Sequence, residues 1–164
     1  MIINLKPLFA DDVKEIAVSE KFDFSNEAFS GSYPIKELVE TNGAIKSRAD
    51  LVTIDVVSRV IYSGQCDRCG SEIENVYDIK TCRDIVTKVH SDENDELIVV
   101  PDMRLNLEEL IFSEVVLGLP MKHLCKEDCK GVCGKCGCNL NNSDCDCRQT
   151  EIDPRLAALQ ELLK

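Results

Sequence analysis

With 164 residues, 44% of them hydrophobic and 30% charged, the chain has the profile of a folded globular protein, long enough to bury roughly 70% of its unfolded surface, and not that of a disordered segment. Aromatic residues are 5% of the total, Trp is absent, and the formal net charge is −11, so the chain lacks both the stacking rings and the cationic field that hold single-stranded nucleic acid. No run is apolar enough to span a bilayer, and residues 1–18 carry acids where a secretory signal needs a basic region followed by an apolar run, so a cytoplasmic protein without a membrane partner is expected.

In chain order, residues 17–24 and 33–46 show a two-residue period blurred by Gly43 and scattered charges, and are candidates to pair as strands. The clearest strand covers residues 51–62. Val52, Ile54, Val56, Val60 and Tyr62 recur on one face, while Thr53, Asp55 and Arg59 lie on the other, the pattern of an antiparallel sheet with one wet face. A second β-like run, 72–89, follows a short link, which predicts a hairpin with Cys66-Asp67-Arg68-Cys69-Gly70 at its tip. Acid-rich residues 91–96 read as an exposed loop, and 97–100 as a short strand ended by Pro101.

The best helix signal is at residues 107–117. Asn106 and Glu109 form a capping-box pattern, Leu107, Leu110, Ile111 and Val115 make one apolar stripe, and Gly118 and Pro120 stop the helix. The stripe is expected to lie on the sheet. A second helix should open at Asp153-Pro154, with Leu156, Leu159, Leu162 and Leu163 on its apolar face. The expected class is α+β: a mainly antiparallel sheet, barrel-like closure included among its forms, with one packed helix, a cysteine-rich lobe and a short C-terminal helix. The corresponding division is a β-rich domain at 1–120, the lobe at 121–150 and the terminal helix at 151–164.

Ten cysteines in a chain expected in a reducing compartment read as metal ligands before disulfides. Seven of them, Cys125, Cys129, Cys133, Cys136, Cys138, Cys145 and Cys147, fall within residues 125–147, where no core can form and a metal can take its place. The Cys-x-x-Cys-Gly units at 66–70 and 133–137 have the spacing of zinc knuckles, each supplying half of a tetrahedron. Cys145 and Cys147 are near enough in sequence to complete the second, which leaves Cys125 and Cys129 for the first. Two structural Zn²⁺ sites are therefore expected: Cys66, Cys69, Cys125 and Cys129, clipping the lobe to the hairpin, and Cys133, Cys136, Cys145 and Cys147 within the lobe. Cys82 and Cys138 are left over. Cys138 could displace Cys136 or Cys145, and His123 could stand in as a ligand.

Cys133-Gly134-Lys135-Cys136 has the outline of a dithiol redox motif, but a turn follows it where that chemistry needs a helix N-terminus. An iron–sulfur cluster would use the same four thiolates, and the knuckle glycines favour zinc. A catalytic zinc would keep an open position with a base beside it. Of the two histidines, neither His90 nor His123 lies in such a pattern, and no phosphate-cradling glycine loop or nucleophile elbow is present. No catalytic residue and no small-molecule substrate is expected.

Five features together resemble the YceD family of large ribosomal RNA subunit accumulation proteins. They are the Cys66-Asp67-Arg68-Cys69 knuckle after a strand, the helix leading into Leu119-Pro120, the segment Cys129-Lys130-Gly131-Val132-Cys133-Gly134-Lys135-Cys136-Gly137 with Asn139-Leu140-Asn141, the Cys145-x-Cys147 pair, and Asp153-Pro154-Arg155. Cys82 and Cys138 lie outside that pattern. The resemblance implies a non-enzymatic role in building the large ribosomal subunit and names no partner. Charge supplies one: four thiolates around one Zn²⁺ carry a net −2, so two sites bring the chain to about −15, repelled by naked rRNA and suited to a basic large-subunit ribosomal protein or a pre-ribosomal particle. Residues 92–96 and Glu108-Glu109 are candidate contacts. The alternative is a zinc-ribbon-like regulator that binds nucleic acid, for which Lys122, Lys126, Lys130, Lys135 and Arg148 in the lobe would be the contacts, set against Glu127, Asp128, Asp144 and Asp146.

Overall fold

The computed structural model describes residues 1–29, 31–48, 51–88 and 97–147. Strands β1 (Ile2–Asn4), β2 (Glu15–Phe22), β3 (Val39–Arg48), β4 (Leu51–Gln65), β5 (Glu72–Val86), β6 (Leu97–Val99) and β7 (Arg104–Asn106) are accompanied by helices α1 (Lys6–Phe9) and α2 (Leu107–Gly118). The main sheet has the order β2-β3-β4-β5-β6. Strands β2 to β5 pair antiparallel as a meander, and the sheet is open, not closed into a barrel. The fold is therefore α+β and mostly antiparallel. The terminal helix expected from residue 153, the acidic loop at 91–96 and His90 lie outside the described residues.

Alternation in β4 sets which face is buried. Val52, Ile54, Val56, Ser58 and Val60 point into the core, and Thr53, Asp55, Val57 and Arg59 point away from it. β5 is in register with it from Val52↔Ile85 to Gln65↔Glu72, so the hairpin projects past the rest of the sheet and carries the first knuckle at its tip. One polar pair is buried in this face. The Thr41 and Ser58 hydroxyls satisfy each other at 2.9 Å across β3 and β4.

Helix α2 lies on the inner face against β4 and β5, burying Leu107, Ile111 and Val115. The capping pattern works differently from expectation. The Asn106 side chain accepts no backbone N–H; its amide donates to the Glu109 carboxylate at 3.2 Å, and the Leu107 N–H goes to the Met1 carbonyl. Three buried aliphatic side chains contribute roughly 1.5–3 kcal/mol each, against about 1 kcal/mol for a cap, so packing holds this helix. Gly118 also has another role than a left-handed stop. It is the last helical residue, and a Cβ there would stand 2.6 Å from Ile79 Cγ2, so the missing side chain lets the helix end lie on β5.

Four other features depart from the sequence reading. Strand β3 begins at Val39, because residues 34 and 35 cross to β4 instead, through the bridge Ile35↔Tyr62 and the Ser63 N–H bonded to the Pro34 carbonyl. Strand β5 ends at Val86, three residues before the sequence pattern does. β6 pairs with β5 in parallel. The ribbon of β1 with β7, and α1 with Leu5 and Leu8 buried beside it, gave no periodic signal, since elements of three and four residues are too short to show one.

Candidate metal centre

The tip of the β4–β5 hairpin is a tight turn. The Gly70 N–H bonds to the Cys66 carbonyl at 2.8 Å, and in the second knuckle the Gly137 N–H bonds to the Cys133 carbonyl at 2.9 Å. Both glycines are left-handed, with φ of 70° and 73°, a conformation costly for other residues. Each turn thus aims two thiols to one side.

The structure brings the sulfurs of Cys66, Cys69, Cys125 and Cys129 within 4.8 Å of one another, and those of Cys133, Cys136, Cys145 and Cys147 likewise. In the first group Cys66 Sγ lies 3.8 Å from Cys129 Sγ, and Cys69 Sγ 3.7 Å from Cys125 Sγ. A tetrahedron with metal–sulfur bonds of about 2.3 Å has an edge of about 3.8 Å, so the spacing fits one shared ion. Disulfides would need sulfurs about 2.05 Å apart. Both groups could hold a metal ion. They differ in exposure: in the first group Cys66, Cys69 and Cys129 are buried with Ile73 and Leu124 against them and Cys125 is exposed, whereas in the second Cys133 alone is buried, Cys136 is exposed and Cys145 and Cys147 are half-buried.

The electrostatics within each group suit a cation. Burial pushes the Cys66 thiol up, but the backbone N–H groups of Cys125, Arg68 and Cys69 together outweigh it and bring it down to about 6. Cys125 beside it is pushed up to about 12, by burial and by the sulfurs of Cys129, Cys69 and Cys66. The second group divides in the same way. Backbone N–H groups of Cys136 and Lys135 lower Cys133 to about 6, while Cys147 is raised to about 12, first by the Cys136 side chain and then by burial. Four thiolates this close repel one another, and a divalent ion would let all four ionise.

Contacts that the sequence did not single out brace the first group. Asp67 Oδ2 accepts the His123 N–H at 2.6 Å and the Asp67 N–H bonds to the His123 carbonyl at 2.9 Å, a reciprocal clamp between hairpin and lobe. Arg68 Nη1 donates to the Cys129 carbonyl at 3.0 Å. The Asn141 amide donates to Cys129 Sγ at 3.3 Å and to Asn139 Oδ1 at 2.8 Å, and Asn139 Nδ2 reaches Ser71 Oγ at 3.1 Å. In the sequence Asn139 and Asn141 stand out only as part of the resemblance; the Asn139 side chain accepts the Asn141 N–H two residues on at 2.9 Å, a turn that asparagine favours.

The remaining candidates fall outside both groups. His123 Nδ1 lies 3.1 Å from Tyr77 Oη and its ring stacks on Tyr62 at 3.6 Å, and burial lowers its pKa. Cys138 sits beside the second group: its carbonyl accepts the Cys133 N–H and its thiol meets those of Cys136 and Cys145. Cys82 is exposed on β5 opposite Asp55. No described helix is long and apolar enough to cross a membrane.

Comparison with known proteins places this arrangement. The Mycobacterium tuberculosis protein Rv2926c is 34% identical over 122 residues, covering 71% of this chain and 57% of that protein, so the chain spans little more than half the length of this relative. Bacillus subtilis YlbN is 27% identical over 151 residues, 83% of this chain and 87% of that protein. The chloroplastic large ribosomal RNA subunit accumulation protein YCED homolog 1 of Arabidopsis thaliana is 35% identical over 72 residues, 43% of this chain and 22% of that protein. No solved structure is significantly similar. The family model described as large ribosomal RNA subunit accumulation protein YceD matches residues 55–163, a stretch that holds both knuckles and all ten cysteines, and the chain belongs to the YceD family.

Proposed function

We propose that this protein is a non-enzymatic ribosome biogenesis factor, supporting accumulation of large-subunit rRNA by binding a basic ribosomal protein or an assembly intermediate that contains one. Its two four-thiol groups, Cys66/Cys69/Cys125/Cys129 and Cys133/Cys136/Cys145/Cys147, each hold a structural Zn²⁺. The observation that carries the ribosomal part is the family match over residues 55–163. The net charge of −11 favours a basic protein over naked rRNA as the direct contact. An all-sulfur tetrahedral donor set suits zinc, and with every position filled by protein it leaves no place for a substrate. The proposed organisation is a β-rich domain at 1–120, a zinc lobe at 121–150 clipped to it through the first site, and a terminal segment at 151–164.

Protein purified without chelator should carry two Zn²⁺ per chain by native mass spectrometry, with Cys82 and Cys138 still open to alkylation. No metal, or iron with visible absorption, would contradict the zinc assignment. The functional reading is tested by titrating the protein against individual large-subunit ribosomal proteins and against rRNA fragments at one ionic strength. Binding to a basic ribosomal protein is expected, falling steeply as salt shortens the Debye length below about 8 Å, and weakened by chelation although the acidic residues remain. Tight, sequence-selective RNA binding without a ribosomal-protein partner would overturn it.

A further inference from the structure

A groove of about 420 Å³ lies where the C-terminal end of α2 meets the first knuckle, a volume in the range of about 300–1,000 Å³ usual for ligand clefts. Its lining is part apolar and part polar. Phe29 packs edge-on against Phe112 and so fixes the loop on one side, while Val116, Leu119 and Met121 form the other. At the knuckle end lie Asp67 and the stacked rings of Tyr62 and His123. Phe29 and Leu119 pack in part on the core, but the rest of this apolar surface is not spent on it: Val116 is 44% exposed, the adjoining Leu117 73% and Met121 100%. An unburied apolar run of this kind beside a shaped cleft is characteristic of a binding surface.

The charge in the groove narrows the occupant. Among the described residues that line it, Asp67 is the one carboxylate, and none is a lysine or arginine. Asp67 has one oxygen engaged by the His123 N–H, which leaves the other for a donor, and the neighbouring Arg68 is turned to the Cys129 carbonyl. An apolar strip, Val116, Leu119 and Met121, facing a single carboxylate matches the make-up of a long basic side chain, a hydrocarbon stem with a cationic head.

We propose that this groove takes up an arginine or lysine side chain from an extended, basic segment of a ribosomal protein, the stem against Val116, Leu119 and Met121 and the head at Asp67. The inference rests on the proposed function and gives it a location, since it sets one docking point beside the site that clips the lobe to the hairpin. The acidic remainder of the surface then acts at long range, speeding the encounter, while the groove sets where the segment lies.

The test uses short fluorescein-labelled peptides tiled over the basic termini of the large-subunit ribosomal proteins, with Met121→Lys and Val76→Lys as variants. Both add one positive charge at an exposed apolar position, the first in the groove and the second on the outward face of β5 opposite Ile61. With the wild-type protein, a bound peptide should shift the methyl resonances of Met121 and Val116. Met121→Lys should weaken binding about tenfold or more, since a like charge set directly against a bound cation is strongly unfavourable, and Val76→Lys should leave it unchanged. Equal loss in both variants, or methyl signals that shift with an rRNA hairpin and not with peptide, would overturn the groove. If whole basic ribosomal proteins still bound while the two variants lost equally, the groove alone would fall; if none bound the wild-type protein, the proposed function would fall with it.

Discussion

Cys66→Ser is expected to release the cysteine-rich lobe from the hairpin, whereas Cys145→Ser should loosen the lobe and leave the hairpin as it was. Cys66 sits at the hairpin tip with its sulfur 3.8 Å from Cys129 in the lobe, so the first group spans two parts of the chain. The second group is drawn entirely from residues 133–147. A structural zinc site carries about 10–16 kcal/mol of apparent binding energy, and loss of one ligand forfeits most of it. What remains between the two parts is a set of weaker contacts: the Asp67–His123 clamp, Tyr77 and Tyr62 against the His123 ring, Asn75 to the Leu124 carbonyl, Arg68 to the Cys129 carbonyl and Asn139 to Ser71. At about 0.5–1.5 kcal/mol each, these contacts cannot replace the ion. Hydrogen exchange read by mass spectrometry should show faster exchange in both the 62–75 segment and the lobe for Cys66→Ser, and in the lobe alone for Cys145→Ser. Equal perturbation of the hairpin by both would refute the proposed ligand sets.

The parts of the fold that were legible in the sequence are those with a local, repeating signature. β4 alternates Val, Ile and Val against Thr, Asp and Arg because one face is dry, and α2 carries an i, i+4, i+8 stripe in Leu107, Ile111 and Val115 for the same reason. The Cys-x-x-Cys-Gly units are visible because each closes its own turn. Features made by distant segments leave no such trace. The pairing of β1 with β7 joins residues a hundred or more positions apart, and the parallel placement of β6 is a matter of topology that a run of three apolar residues does not encode. The groove draws its walls from Ala28, Phe29 and Ser32, the hairpin, the end of α2 and the segment after it, and no one of these is unusual alone. Asn106 and Glu109 show the opposite case: a local pattern is present, but the Met1 carbonyl and the Glu109 carboxylate offer other partners and the expected cap geometry does not form.

Gly43 is the position where a local blemish in the sequence marks a long-range constraint, and Gly43→Ala is expected to be the most damaging single-atom addition in the sheet. In the sequence it interrupts the period of a weak strand. In the structure it lies in β3 between Val18 of β2 and Val56 of β4, and a Cβ there would stand 2.2 Å from the Asp55 carbonyl oxygen and 2.6 Å from Val56 Cα. Those are backbone atoms, so no side chain can swing aside to make room; β3 would have to move off β4. A strand glycine often marks such an approach. Overpacking commonly costs about 1–3 kcal/mol, and a backbone clash belongs at or above the upper end of that range. Gly134→Ala is the control, because nothing lies within 4 Å of the corresponding Cβ even though the residue sits inside the second knuckle. Denaturant unfolding should show a markedly lower midpoint for Gly43→Ala and little change for Gly134→Ala. Under native conditions both should retain two Zn²⁺, since both thiol groups lie beyond the part of the sheet where β3 pairs with β4. A Gly43→Ala protein as stable as the parent would show that β3 can draw back from β4 at no cost, and that this close approach does not constrain the sheet.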